Sequence, residues 1–229
     1  MSKAIEFANR LYSPTMKTAL KRQIDKEDHS PAVFYEEEYG PSITQKKFDD
    51  AWLDIQHSIE IFFGNAEFLT SLRKASRAIP QRPLAFSSWN VKARAVPDLI
   101  LFHDDEPPTI VDWKVQSKPK QDHWLQLAIY AMALTRAKKH RDWPTDVSRF
   151  AAKDIKVIES QLLSGEIREH QVTSEDVNSV DDLIVTSDDE MNLTLGETDK
   201  KELTAQSFTA TSNPNACMYC NFRKICWVV

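Results

Sequence analysis

The stretch that decides the fold is Pro97-Asp98-Leu99-Ile100-Leu101-Phe102-His103-Asp104-Asp105-Glu106-Pro107-Pro108-Thr109-Ile110-Val111-Asp112-Trp113-Lys114. Two apolar runs flank a centre of acids and prolines, which are turn formers. The reading is an antiparallel hairpin, with one strand from Trp89 to Phe102 and the next from Thr109 to Gln116. Strand side chains alternate between faces. Asp112 and Lys114 therefore share one face, and Val111, Trp113 and Val115 take the other.

A hairpin folded symmetrically about a loop centred near residue 105 sets Asp98 opposite Asp112. Opposed Cβ atoms lie about 4.5–5.5 Å apart, and two carboxylates so close repel unless a cation lies between them. A hard divalent ion with oxygen ligands resolves the conflict. Mg²⁺ held by Asp98, Asp112 and the backbone carbonyl of Trp113 would polarise a phosphodiester and acidify a bound water. Lys114 would orient that water or stabilise charge developing on the phosphate. The competing reading is a plain surface salt bridge between Asp112 and Lys114. A slip of one residue would break the register, and Pro97 points to an edge or a bulge.

Outward from this hairpin, Lys120 to His140 predicts a helix rich in Leu, Ala, Ile, Met and Gln. Upstream, Phe48, Trp52, Ile55, Ile59 and Phe62 recur at spacings of 3 and 4, a helical stripe within Gln45 to Phe63. Residues 66–80 suggest a short helix ended by Pro80, and Ser13 before Pro14 reads as a helix cap. Asp154–Glu159 and Glu166–Thr173 suggest a second hairpin, and Ser174-Glu175-Asp176 opens a helix with acids in its first turn. Residues 187–215 read as polar and partly mobile. The order is mixed α/β.

Pro97-Asp98 followed by Asp112-Trp113-Lys114 resembles the PD-(D/E)XK nuclease signature, with Asp in the second acidic position. Gln126 and Tyr130, in the pattern Gln-x-x-x-Tyr, resemble the third motif of the RecB-like branch. At spacing 4 they share a helix face. The resemblance implies a restriction-endonuclease-like core, a mixed sheet flanked by helices, with a helical N-terminal region and a Cys-rich tail. It implies a single nuclease domain over 1–229, with the helical region at 1–80, the catalytic core at 85–185 and the tail at 205–229. It further implies Mg²⁺- or Mn²⁺-dependent hydrolysis of DNA, with single strands or duplex ends as substrate. Gln126 and Tyr130 would support Lys114 and contact the strand. His57 is the candidate for the branch's metal-binding histidine on an N-terminal helix, with Glu37 and Glu38 as substitutes.

Cys217, Cys220 and Cys226, spaced C-x2-C and C-x5-C, resemble the C-terminal cluster of the AddB-type and CRISPR-adaptation iron–sulfur nucleases. The family's 4Fe–4S site takes a fourth cysteine from near the N-terminus, and this sequence has only three. Either His29 or another residue completes an iron–sulfur or Zn²⁺ site, or a cluster forms with an open position, or the thiols simply pack.

The net charge of -5 does not itself suggest nucleic acid, but its distribution is uneven. Residues 174–200 hold nine acids against Lys200 alone, which leaves the remainder at +3. A mildly basic body can bind phosphates locally, and the acidic segment can recruit a protein partner. Lys118, Lys120, Arg136, Lys138 and Lys139 are candidate phosphate contacts. No signal peptide or membrane-spanning run is read, so a cytoplasmic protein is expected. Two alternatives stand beside the enzyme: a nucleic-acid-binding module that keeps the fold without turnover, and a partner-binding structural subunit.

Overall fold

A computed structural model of the chain describes residues 1–20, 34, 43–115, 123–144, 147–196, 201–208, 211, 213–218, 220, 222 and 226. The chain divides into two compact units, one of Gln56–Asp188 with Met1, the other of Ser2–Ile55 and Asp189–Val229. Helices α1 (Ser2–Leu20), α2 (Gln45–Gly64) and α3 (Ala66–Arg73) come first. Strands β1 (Arg77–Pro80), β2 (Leu84–Ser88), β3 (Val91–Ala95), β4 (Leu99–Phe102) and β5 (Thr109–Lys114) follow. Next come α4 (Trp124–Arg136), β6 (Lys156–Gln161), β7 (Ile167–Gln171), α5 (Ser174–Leu195) and α6 (Pro214–Met218).

The first unit is built on a five-stranded sheet in the order β1-β4-β5-β6-β7. Only β5 and β6 run parallel, and every other neighbouring pair is antiparallel. Central β5 is buried on both faces from Thr109 to Asp112, with Ile110 and Val111 as its apolar centre. Ile110 packs with Ile100, Phe102 and Val157 against Leu127, Ala131 and Leu134 of α4. Val111 and Trp113 pack with Leu101 and Ile158 against Phe62 of α2 and Phe68 and Leu72 of α3. Helices thus cover both faces, which is how a sheet with a parallel pair is buried. The separate hairpin β2–β3 lays Leu84, Phe86 and Ala95 into the core on the α4 side.

Several sequence expectations are corrected. Trp89–Phe102 is not one strand, because the chain turns at Val96-Pro97 and passes from the small hairpin into the main sheet. The helix expected over 66–80 ends at Arg73, and Arg77–Pro80 pairs with β4 as an edge strand. Ser13 is no cap: α1 runs through Pro14, and the Ser13 hydroxyl donates to Asn9 Oδ1. The stretch from residue 187 remains helical to Leu195. The β6–β7 hairpin turns at Gly165, whose φ of +75° favours a residue without Cβ.

Within the second unit, Tyr12 of α1 donates its hydroxyl to the Phe48 carbonyl and stacks on Trp52. Among the described residues no helix is long and apolar enough to cross a membrane.

Candidate active site

Leu99 pairs with Val111, Ile100 with Ile110 and Leu101 with Thr109. Continued by one step, this register sets Asp98 across from Asp112, as the symmetric hairpin predicts. Asp98 lies just before β4, and its carboxylate does what a strand would otherwise do: Oδ2 accepts the Trp113 N–H at 2.9 Å. Its own carbonyl is tied on the other side by the Gln81 N–H at 2.9 Å. Gln81 adopts a left-handed φ of +44° there, a strained backbone beside the site.

The same alternation exposes the Trp113 carbonyl. The Leu162 amide bonds to the Lys114 carbonyl, so the even residues of β5 aim their peptide groups at β6. Trp113 therefore aims both its N–H and its C=O toward Asp98. The residue opposite Trp113 in this register is Pro97, which has no N–H to offer. Asp98, Asp112 and this carbonyl gather at one open end of the β4–β5 ladder.

Asp112 is only 2% exposed. Lys114 Nζ lies 2.7 Å from Asp112 Oδ2, a buried ion pair and not the surface bridge of the competing reading. The contact falls off the hydrogen-bonding direction, so Asp112 Oδ2 is a buried, charge-paired oxygen with no directed donor. Burial pushes the Asp112 carboxyl above its ordinary range, Lys114 opposes the rise, and the charges of Asp98 and Glu159 add to it. On the α4 side, Lys114 Nζ donates to Gln126 Oε1 at 2.7 Å, and Gln126 Nε2 donates to the Tyr130 hydroxyl oxygen at 2.7 Å. The lysine fixes the amide's orientation, since an ammonium needs the carbonyl end. Tyr130, buried near the two carboxylates, has its hydroxyl pKa raised chiefly by desolvation.

A model of the PD-(D/E)XK nuclease superfamily matches residues 7–227. This chain belongs to the PD-(D/E)XK nuclease superfamily. The sheet flanked by helices is the restriction-endonuclease-like core of that superfamily. Similar solved structures include a candidate exonuclease from Eubacterium rectale, at 12% identity and TM-score 0.43, covering 89% of this chain and 75% of that one. Another is the protein SSO0001, at 14% identity and TM-score 0.40, covering 96% and 97%. No curated protein matches the chain.

The candidate site extends to residues that sequence reading missed. Glu159 of β6 pairs in register with Asp112 and is 1% exposed. Its Oε2 lies 2.9 Å from His123 Nδ1, and its Oε1 accepts Gln161 Nε2 at 2.7 Å with Arg168 at 3.6 Å. Both oxygens of Glu159 are thus partnered, whereas Asp112 Oδ2 has charge beside it and no directed bond. Asp112 is the carboxylate whose burial is least compensated. Glu159 and Gln161, two apart on an apolar strand, repeat the pattern of Asp112 and Lys114; that was the available signal.

His57 is exposed on α2, and the charges that reach Asp112 are Lys114, Asp98 and Glu159. Among the described residues no three His, Cys, Asp or Glu side chains gather to hold a metal. Glu37, Glu38, His29, Lys118 and Lys120 lie outside the described residues.

A hard divalent ion nevertheless fits the ladder end. Two carboxylates, one of them with the buried Asp112 Oδ2, and an aimed carbonyl form an all-oxygen donor set, and Mg²⁺ commonly takes one or two carboxylates and completes its shell with water and phosphate. The tail fits its expected group less well. Cys217, Cys220 and Cys226 are free thiols, one short of the four that a cubane cluster normally takes.

Proposed function

We propose that this PD-(D/E)XK protein hydrolyses phosphodiester bonds of DNA with Mg²⁺ or Mn²⁺, acting as an exonuclease on single strands or duplex ends. The observation that carries the reading is the Tyr130–Gln126–Lys114–Asp112 chain, closed against Asp98 and the Trp113 carbonyl. Asp98, Asp112 and the Trp113 carbonyl would hold the ion, which when bound makes phosphorus more electrophilic and its water more acidic. The support for His57 as a further ligand, and for the exonuclease mode, is the family resemblance alone.

The chain's own residues supply positioning and charge. Lys114 has three N–H donors; one is committed to Gln126, and Asp112 holds the charge in place. The remaining donor capacity can hold the attacking water or a phosphate oxygen. Attack of water on phosphorus forms one P–O bond and breaks the bond to the departing deoxyribose oxygen. The proton shed by the water passes to bulk solvent, the departing alkoxide takes one up from solvent, and Lys114 offsets the charge that grows on the phosphate. Gln126 and Tyr130 resist sideways motion of the ammonium, and displacements of about 1 Å can cost on the order of 100-fold in rate.

The test is cleavage of 5′- and 3′-labelled single and double strands with Mg²⁺, Mn²⁺ or chelator. The expected result is ion-dependent shortening from one end, abolished in Lys114→Ala and Asp98→Ala. Retention of ion-dependent cleavage by both variants would overturn the assignment.

A further inference from the structure

The β2–β3 hairpin turns on Trp89-Asn90. Trp89 is 80% exposed, and its φ is +51°. A bulky aromatic in the left-handed region is an outlier, since glycine or asparagine would take that place without strain. Nothing about the turn asks for tryptophan, and exposure of its indole leaves its burial unused.

Beside the hairpin is a groove of about 770 Å³ lined by Phe86, Ser87, Lys92, Arg136, Lys138 and Lys139 among others. Its volume falls within the ligand-pocket range of about 300–1,000 Å³. Arg136 is bound to Asp181, but Lys92, Lys138 and Lys139 form no ion pair among the described residues. Three uncommitted ammonium groups line a groove in a chain whose net charge is negative. Lys138 and Lys139 stand just beyond α4, the helix whose first turn carries Gln126. Arg136, the last residue of that helix, lines the groove ten residues beyond Gln126, so at 1.5 Å per residue it lies roughly 15 Å along the helix from the Lys114 anchor.

We propose that this groove and Trp89 bind single-stranded DNA, with the lysines on successive phosphates and the indole stacked on a base. The charge identifies a polyanion. The aromatic identifies exposed bases, which a duplex keeps stacked. The proposal rests on the nuclease reading for its choice of DNA, and the groove would hold the strand some nucleotides away from the hydrolysed bond.

The experiment uses the full chain in chelator and a fluorescein-labelled oligodeoxythymidine, read by anisotropy across a salt series. Trp89→Gly relieves the backbone strain while removing the ring, so a melting temperature at or above wild type shows that any binding loss is not unfolding. It is expected to weaken binding roughly tenfold, the loss of one stacked base, with Trp89→Phe restoring part. Lys92→Gln/Lys138→Gln/Lys139→Gln is expected to flatten the slope of log affinity against log salt by about 2, near 0.7 per phosphate contact. With Mg²⁺, both variants should raise KM and leave kcat unchanged. Unchanged anisotropy in both variants beside normal cleavage overturns the groove. Stronger binding of a duplex than of the single strand overturns it too. Groove-dependent binding without any ion-dependent cleavage supports the groove and overturns the nuclease reading.

Discussion

Asp112→Asn should stabilise the ion-free protein, although it removes a residue of the proposed chemistry. Asp112 is buried, its Oδ2 has no directed donor, and Asp98 and Glu159 add negative charge around it. Its folded pKa is raised, so the stability associated with this group is fully present below its unfolded pKa and is lost as pH rises through the folded one. As pH rises through the folded pKa, the wild type takes on the cost of an ionised Asp112, and a neutral amide does not. Lys114 keeps Gln126 as a partner in the variant, so the ammonium is not stranded, and the gain is on the order of 1 kcal/mol, the worth of a tenfold change in proton affinity. For a chain of this size each kcal/mol moves the melting temperature by about 2–4 °C. Mg²⁺ at tenfold over its Kd would stabilise wild type by about 1.4 kcal/mol, and the variant by much less. The assay is thermal unfolding of both proteins in chelator and in Mg²⁺, from pH 4 to pH 8. The variant should melt higher in chelator at neutral pH, the difference should shrink toward acid, and Mg²⁺ should close it. A variant that melts lower than wild type in chelator, or an equal Mg²⁺ shift in both proteins, would refute the reasoning.

Glu159→Gln should act in the opposite direction, because Glu159 is partnered on both oxygens; the loss is about 3 kcal/mol, read by denaturant titration. Gln126→Leu removes the Lys114 anchor and should lower kcat about 100-fold while leaving the midpoint of unfolding nearly unchanged. Arg136 holds Asp181 below the usual carboxylate range, mainly through their hydrogen bonds. The contribution of Asp181 is therefore present at neutral pH and is lost as pH falls through its folded pKa. Arg136→Ala should cost up to about 1 kcal/mol at pH 7 and nothing in acid, since the pair is partly exposed.

The sequence carried most of the site because the site is local. Asp98, Asp112 and Lys114 lie within one hairpin, where period 2 and the loop centre suffice to oppose them. Gln126 and Tyr130 lie on the next helix at a spacing that forces a common face. Glu159 escaped because its place beside Asp112 depends on the parallel β5–β6 pairing, which brings together residues 47 apart with no turn between them. The break at Val96-Pro97 was signalled by the proline alone, which reads equally as an edge or a bulge within one strand; only the assignment of β2–β3 to a second sheet makes it necessary. Arg77–Pro80 is an edge strand of four residues with one buried position, too short for alternation to show. Pro14 sits inside a helix whose following turns hold regardless, with Thr18 Oγ1 donating to the Pro14 carbonyl.

The missing donor opposite Trp113 has an evolutionary cost attached. Valine at position 97 would supply the absent N–H, and the β4–β5 ladder could zip two residues further. That longer ladder would melt later, yet it would claim the very peptide oxygen proposed to hold the ion and turn the Asp98 carboxylate loose from the Trp113 amide. On the proposed function a more stable sheet would be a poorer enzyme, so selection for robustness alone would favour valine here, and the proline leaves the strand unfinished.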